Sequence, residues 1–243
     1  MADLDPRLVE LYDSDNPDGP DHDYYRSLVD HAGARAVLDL GCGTGILTVT
    51  FAAPGRRVVG VDPSPAMLHF AKRRRGSERV DWILGDSRSI PPGAHDVAVL
   101  SGNVAQHIPD GAWERTLADL HASLRPGGLL AFESRNPSDR AWEGWTAEAP
   151  TERDTPHGRL RESFELLDQN IDEAGEGTIT VRSRNLLDGE DLSHDFTLAF
   201  RSEARLVEQL DRAGFDVRAV WGGWDRTPVR EDSRLLVIEA IRR

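Results

Sequence analysis

The feature that most constrains the fold of this chain is a group of three glycines directly after a short apolar run. Residues 37–45 read Val-Leu-Asp-Leu-Gly-Cys-Gly-Thr-Gly. Glycine has no β-carbon, so the backbone can turn sharply at these positions and approach a ligand closely. A strand that leads through such a turn into a helix is typical of nucleotide-binding sheets. Residues 41–45, the glycine loop, therefore form the first candidate binding site.

The spacing of these glycines separates two classes of cofactor. A dinucleotide-binding loop would have its third glycine at position 46, where this chain has Ile46. The G-x-G-x-G pattern therefore disfavours a nicotinamide or flavin cofactor. A prediction of oxidoreductase activity would rest on fold analogy alone.

From residue 36 onward, short apolar segments alternate with helical ones. This alternation predicts an α/β fold with a mostly parallel sheet and helices on both faces. The predicted strands are Ala36–Leu40, Val58–Asp62, Val80–Leu84, Val97–Leu100 and Leu129–Glu133. The predicted helices between them are Ile46–Ala53, Pro65–Arg75 and Trp113–Leu124. Ligands bind beyond the carboxyl ends of the strands in such sheets, so the residues after each strand are the candidate site.

The pattern changes after Asn136 to a period of two, which predicts an antiparallel β insertion. Its expected strands are Leu160–Leu166, Thr178–Arg184 and Phe196–Phe200, separated by turn signals at 175–177 and 188–189. The α/β rhythm resumes with a helix at Glu203–Ala213 and strands at Phe215–Val220 and Leu235–Ile241. We expect a single domain with an N-terminal helical arm or lid at 1–33, which includes a helix near Tyr24–Ala32. After the arm we expect a cofactor-binding core at 34–135, a β insertion over the active site at 136–201 and the rest of the core at 202–243.

Carboxylates follow the second and third predicted strands. Asp62 stands where a carboxylate can accept hydrogen bonds from both hydroxyls of an adenosine ribose. The alternative is a helix N-cap, since Asp-Pro-Ser-Pro also suits a helix start. Asp86, in Gly85-Asp86-Ser87, offers a carboxylate to an adenine amino group, unless the segment only forms a turn.

Taken together, these motifs resemble those of class I S-adenosylmethionine-dependent methyltransferases. The resemblance rests on 37–45, Asp62, Gly85-Asp86 and the segment Leu-Arg-Pro-Gly-Gly at 124–128, and it covers roughly residues 30–135 and 200–243. It implies a Rossmann-like seven-stranded sheet whose last strand is antiparallel. S-adenosylmethionine would be the cofactor, and the reaction would be methyl transfer to O, N or C of a small metabolite without a metal.

The resemblance also implies roles for individual residues. Gly41, Gly43 and Gly45 would line the methionine portion of the cofactor, Asp62 the ribose and Asp86 the adenine, with Asp39 beneath the loop. The remaining residues of the expected cofactor site are Tyr12, Cys42, Thr44, Pro63, Gly85, Ser87, Ser101, Gly102 and Asn103.

The segment after the fourth strand, Ser-Gly-Asn-Val-Ala-Gln-His at 101–107, faces the sulfonium and the substrate in the family that the chain resembles. It lacks the Asn-Pro-Pro-Tyr signature of amino-directed DNA and protein glutamine methyltransferases, which favours a small substrate. His107 is the candidate general base, because an imidazole can take a proton near neutral pH. The alternative is a histidine that caps or packs a loop.

Substrate-binding residues are expected in two places. The first is the segment Glu133-Ser134-Arg135-Asn136, which leaves the fifth strand ahead of Trp142 and Trp145. This combination suits a polar or carboxylate-bearing substrate against an aromatic wall, with Arg135 and Asn136 as its polar contacts. The tryptophans would alternatively anchor the insertion. In the arm, Tyr12, Tyr24 and Tyr25 resemble the family's lid, where a tyrosine contacts the cofactor carboxylate or the substrate, and ordinary helix packing explains them equally well.

Charge and composition exclude several classes of partner. The formal net charge is −13, from 42 acidic and 29 basic residues, which opposes binding to nucleic acid. No segment offers a secretory h-region or the roughly 20 apolar residues of a membrane span, so we expect a cytoplasmic protein. The single cysteine and the spacing of the histidines imply no metal. We expect a monomer or homodimer that binds a small molecule. A non-catalytic or regulatory cofactor-binding protein is the alternative.

Overall fold

The described part of the chain, in this computed structural model, is residues 3–243 except for the side chain of Thr146. Met1 and Ala2, the start of the predicted arm, lie outside the described residues. The helices are α1 Pro6–Asp15, α2 Pro20–His31, α3 Pro65–Ala71, α4 Asp110–Ser123, α5 Ala141–Ala147 and α6 Glu203–Arg212. The strands are β1 Ala36–Leu40, β2 Arg57–Asp62, β3 Val80–Leu84, β4 His95–Leu100, β5 Leu124–Arg135, β6 Thr151–Thr155, β7 Gly158–Ile171, β8 Gly177–Leu187, β9 Glu190–Asp191, β10 His194–Phe200, β11 Phe215–Trp221 and β12 Leu235–Arg242.

Seven strands form the central sheet, in the order β3-β2-β1-β4-β5-β12-β11. β12 runs antiparallel to both of its neighbours, and the other pairings are parallel. This confirms the predicted mostly parallel sheet with a reversed last strand. The chain moves outward from β1 in one direction to β3 and then returns to β4 on its other side. The carboxyl ends of β1 and β4 therefore flank the crevice in which α/β proteins bind ligands.

Apolar side chains cover both faces of this sheet. All five residues of β1 are buried, as a parallel strand covered on both faces requires. On one face, Leu38 and Leu100 belong to the core formed with α4 and α6, whereas on the other Val37 and Val99 pack with α2. No helix within residues 3–243 has the length and apolar composition needed to cross a membrane.

The predicted antiparallel insertion is a separate sheet in the order β10-β8-β7-β6, with β9 paired to β8. Its strands extend beyond the predicted ones, and β6, β9 and α5 had no clear signal in the sequence. The insertion has its own buried cluster: Trp142, Ile179, Val181, Leu198 and Phe200.

The helix predicted at Ile46–Ala53 is wrong. The structure has only a 3-10 turn at Thr48–Phe51. Side chains branched at the β-carbon disfavour helix here, and the Thr48 hydroxyl donates instead to Asp39 Oδ2 at 2.6 Å. α3 also ends earlier than predicted, at Ala71 instead of Arg75.

The arm contains two helices instead of the one expected. α1 begins where Asp5 accepts a hydrogen bond from Arg7 N at 2.9 Å and Pro6 takes the first helical position. On α1, Asp13 accepts a hydrogen bond from Thr44 Oγ1 at 2.6 Å. Leu11, also on α1, packs with Leu160 and Leu187 of the insertion. Helix α1 therefore contacts both the glycine loop and the insertion.

Candidate active site

The glycine loop is held close to the ends of β2 and β4. The amides of Gly41 and Cys42 both donate to the Val61 carbonyl, at 2.7 and 3.1 Å, and Gly45 N donates to the Cys42 carbonyl at 2.9 Å. Gly41 has a φ of +80°, and a β-carbon there would lie 2.4 Å from Val104 Cγ2. Only glycine fits this position, because the segment after β4 packs directly on the loop.

Asp62 connects the glycine loop to the end of β2. Its Oδ2 accepts from Gly43 N and its Oδ1 from Ser64 N, both at 2.8 Å. The N-cap of α3 is Ser64, whose Oγ accepts from Met67 N at 3.1 Å. The contacts therefore do not support the N-cap alternative for Asp62. Pro63, which follows, is exposed.

Asp39 is the β1 residue two positions before Gly41. Its side chain is buried, with Oδ2 bound to the Thr48 hydroxyl, whereas Oδ1 has no hydrogen-bond partner among the described residues. Cys42 and Thr44 are also buried. The Thr44 hydroxyl contacts the arm instead of pointing to an open pocket.

The segment after β3 is an ordered turn in which the side chains already have partners. Asp86 is partly exposed and accepts from Arg88 N at 3.0 Å and Arg88 Nη2 at 2.6 Å, and this arginine lowers the pKa of Asp86. Ser87 is buried and donates to Asp119 of α4 at 2.6 Å. Gly85, with a φ of +157°, allows the chain to turn here. An adenine amino group would have to share Asp86 with Arg88.

The segment after β4 is tied to β5 by a buried glutamate. Asn103 adopts a φ of +59°, directly after Ser101 and Gly102, and its backbone amide donates to Glu133 Oε1. The Tyr25 hydroxyl donates to Glu133 Oε2. Asn103 Oδ1 is buried without a hydrogen-bond partner in the described part of the chain. In the sequence-based prediction Glu133 appears only as part of the segment 133–136, without a role of its own, although a charged residue near the end of an apolar strand was a usable signal.

Three buried carboxyl groups surround this region without a counter-charge. Within residues 3–243, none of Asp39, Asp62 and Glu133 forms an ion pair. Burial raises the pKa of Asp39 and of Glu133 to about 7 and also raises the pKa of Asp62. Because ionised carboxylates in a desolvated site need a cationic partner, the arrangement suits a positively charged ligand.

The tyrosines of the arm have different surroundings. Tyr12 is partly buried, and desolvation followed by the charges of Asp62, Asp13 and Glu133 raises its pKa, as expected for a tyrosine near these side chains. The Tyr24 hydroxyl donates to Glu239 at 2.8 Å, and that of Tyr25 donates to Glu133. Both rings also contact the ring of Trp224, with centroids 5.5 and 5.7 Å apart. For Tyr24 these contacts favour the packing interpretation.

The two tryptophans expected in the substrate site also have different surroundings. Trp142 is buried in the insertion core, with its ring centroid 4.4 Å from that of Phe200, which favours an anchoring role. The ring of Trp145 lies 4.6 Å from the Arg135 guanidinium carbon. Arg135 Nη1 also donates to Gln106 Oε1 at 3.1 Å.

Asn136 has a structural explanation. Its Oδ1 accepts from Ser138 N at 3.3 Å, and its Nδ2 donates to the Ser233 carbonyl at 2.9 Å. The side chain thus begins the turn at Pro137–Asp139 and connects it to the segment before β12. These contacts use both polar ends of the amide that we expected to bind substrate.

His107 faces the insertion. Its ring centroid lies 5.8 Å from that of Phe196, and the residue lines a cleft of about 260 Å³ between the turn at Val104–His107 and strands β8 and β10. His107 is exposed to solvent, while desolvation by neighbouring protein atoms and then the Arg135 charge lower the pKa of His107 to about 4. The imidazole is therefore neutral at physiological pH, as a proton acceptor must be, and is a weaker base than a free histidine.

Comparison with known proteins identifies the family. Residues 37–128 match the family model described as a methyltransferase domain. The chain is 30% identical over 212 residues to the cypemycin N-terminal methyltransferase of a Streptomyces species, covering 84% of this chain and 82% of that protein. It is also 30% identical over 121 residues to glycine N-methyltransferase of Rattus norvegicus, covering 43% of this chain and 41% of the relative.

Solved structures share the fold. The CcbJ methyltransferase from Streptomyces caelestis has a TM-score of 0.75 at 20% identity, covering 97% of this chain and 96% of its own. CalS10 from Micromonospora echinaspora, an amino pentose methyltransferase solved with S-adenosylmethionine bound, has a TM-score of 0.68 at 19% identity and full coverage of both chains. With its glycine loop, its strand order and these relatives, the chain belongs to the class I S-adenosylmethionine-dependent methyltransferases.

Proposed function

We propose that this methyltransferase transfers a methyl group to an amine nitrogen of a small molecule. The observation that carries the proposal is Glu133, a buried carboxylate without an ion-pair partner among residues 3–243, which accepts the backbone amide of Asn103. When bound, S-adenosylmethionine supplies an electrophilic methyl group. The protein's own contribution is to hold, orient and desolvate the two reactants.

The cofactor would lie along the glycine loop, above Asp39 and beside Asp62. Its positively charged sulfonium and ammonium groups fit a site whose buried carboxyl groups have no other cation. Tyr12, whose pKa is raised by Asp62 and Glu133 among others, would close over the cofactor from α1. In this proposal residues 1–33 serve as the lid, 34–135 and 202–243 as the core, and 136–201 as the insertion over the acceptor.

An amine fits this charge distribution better than a carboxylate or a phosphate, which the buried anions would repel. An ammonium drawn into the site must lose a proton before its nitrogen can attack. Glu133, with a pKa near 7, and neutral His107 are the groups that can take it. The names of two relatives agree with nitrogen as the acceptor, since one acts on a peptide N-terminus and one on glycine.

The test is an acceptor screen with S-adenosylmethionine and matched panels of amines, alcohols and carboxylates. Mass spectrometry should detect an added methyl group on at least one amine, together with S-adenosylhomocysteine. Methylation confined to alcohols or carboxylates would contradict the proposal. Tight cofactor binding without transfer to any panel would favour the non-catalytic alternative.

A further inference from the structure

The insertion sheet has one face turned inward, and we define this inner face by Leu160, Val181 and Leu198. The alternation of the strands and their pairing assign further residues to it. Phe164 lies opposite Ser183, which lies opposite His194. In the next row Leu166 lies opposite Val181, which lies opposite Phe196.

The two ends of the inner face are covered, and its middle is open. At one end Leu160 is buried against Leu11 of α1. At the other end Val181 is buried with Trp142 of α5. Leu166, which pairs with Val181, and Phe164, one step nearer Leu160 on the same face, remain 37% and 45% exposed. Such adjacent exposed apolar side chains, bounded by buried clusters, are typical of a binding surface.

Both covering helices reach the candidate active site. Helix α1 contacts the glycine loop through the 2.6 Å hydrogen bond from Thr44 Oγ1 to Asp13. Helix α5 places Trp145 against the Arg135 guanidinium, 4.6 Å from the ring centroid. The exposed part of the inner face therefore lies between α1, which contacts the glycine loop, and α5, which contacts the end of β5.

The opposite, outer face of the insertion sheet carries ion pairs, and part of it, at Thr178, Thr180 and Thr197, lines the cleft beside His107. On this face Arg182 Nε donates to Asp195 at 2.7 Å, and Arg184 Nε donates to Glu165 at 2.8 Å. Ion pairs thus occupy much of the outer face, which also carries the exposed Leu186, and Glu162 of the inner face pairs with Arg153 at 3.0 Å. The inner face differs in that two exposed apolar side chains, Phe164 and Leu166, lie next to each other on it.

We propose that Phe164 and Leu166, together with Phe196 and Trp145, form an apolar wall of the acceptor site. The acceptor is then an amine that carries an aromatic or similarly sized apolar group. This inference rests on the proposed function, because the buried carboxyl groups account for the cationic end of the acceptor and the wall for its apolar end. A short polar amine would leave the wall in contact with water.

The test uses two probe amines that differ in their apolar group, phenethylamine and ethanolamine. Each is titrated calorimetrically into the protein saturated with S-adenosylhomocysteine. Phenethylamine should bind about tenfold or more tightly, as burial of a phenyl ring predicts. Phe164→Ala should weaken phenethylamine binding about tenfold and leave ethanolamine and cofactor binding unchanged.

Leu186→Ala is the matched control, because Leu186 is 38% exposed on the outer face of the same sheet. It should change none of these affinities, and thermal unfolding should show that both variants remain folded. The proposed apolar wall is wrong if the two amines bind equally or if neither binds. It is also wrong if the two substitutions have equal effects. The proposed function has a separate test. If phenethylamine binding depends on Phe164 but no amine is methylated, the proposed function is wrong and the apolar wall is not.

Discussion

The hydroxyl of Tyr25 donates a hydrogen bond to the carboxylate of Glu133, 108 residues further along the chain. Tyr25 belongs to α2 of the arm, and Glu133 lies near the carboxyl end of β5. Because the other oxygen of Glu133 accepts Asn103 N, one buried side chain joins the arm, the sheet and the segment after β4. Arm position and the shape of the candidate site are therefore coupled through a single carboxyl group.

Removing the charge of Glu133 should weaken cofactor binding without changing the shape of the site. For Glu133→Gln we expect the affinity for S-adenosylmethionine to fall about 10- to 100-fold, or about 1.5–3 kcal/mol, because a buried charged hydrogen-bond acceptor is lost. Calorimetry measures the change. Glu239→Gln is the control, since Glu239 is also buried and accepts a tyrosine hydroxyl from α2. Equal losses of affinity in both variants would mean that Glu133 affects cofactor binding only through the stability of the fold.

Asp62→Ala should reduce affinity for S-adenosylmethionine and S-adenosylhomocysteine alike. If Asp62 accepts both ribose hydroxyls, its loss costs about 1.5–3 kcal/mol, roughly one to two decades of affinity for either compound. Asp86→Ala should reduce cofactor affinity less, because the Asp86 side chain is partly exposed and already paired with Arg88. An unchanged dissociation constant for Asp62→Ala would remove Asp62 from the cofactor site.

Cofactor binding should depend on pH in a direction set by the buried carboxyl groups. The pKa values of Asp39 and Glu133 are about 7, and a bound cation favours their ionised forms. S-adenosylmethionine should therefore bind more tightly at pH 8 than at pH 6, with release of protons. S-adenosylhomocysteine lacks the sulfonium charge and should show a smaller dependence. Titrations in buffers of different ionisation enthalpy measure the released protons, and identical pH profiles for the two compounds would contradict this origin.

The same groups should make the ligand-free protein less stable as the pH rises. Each pKa is raised above its ordinary value of 3.8 or 4.5, so the stabilising contribution is complete below about pH 4 and is lost as the pH rises to about 7. Urea unfolding between pH 5 and 8 should show this loss. Glu133→Gln should reduce the slope, since the amide does not titrate, and an unchanged slope would exclude Glu133 as its source.

His107→Ala tests the candidate base. Loss of general-base catalysis should lower turnover about 10²–10⁴-fold while cofactor affinity is kept. Because the pKa of His107 is about 4, its ionisation should not affect the rate between pH 6 and 8. Steady-state rates with the amine found in the screen provide the measurement. Normal turnover in the variant would assign His107 to packing against Phe196.

The strands were predictable because their signals are local. Ala36–Leu40 and Val80–Leu84 have the bounds expected from their apolar residues, and the glycines after β1 mark the turn that follows. Helix α1 was not predictable in the same way, because its polar sequence buries only Val9 and Leu11. Its position depends on partners in the glycine loop and the insertion, which are distant in the sequence.

The sequence by itself determined the α/β class, the glycine loop, the position of Asp62 at the end of β2 and the presence of an antiparallel insertion. Each depends on residues that are neighbours along the chain or on a short repeating pattern. Only the tertiary structure decided that Glu133 meets Tyr25 and Asn103, that Trp142 is buried whereas Trp145 lies on Arg135, and that Phe164 stays exposed on the inner face. These relationships depend on how distant segments pack, and no local pattern specifies that packing.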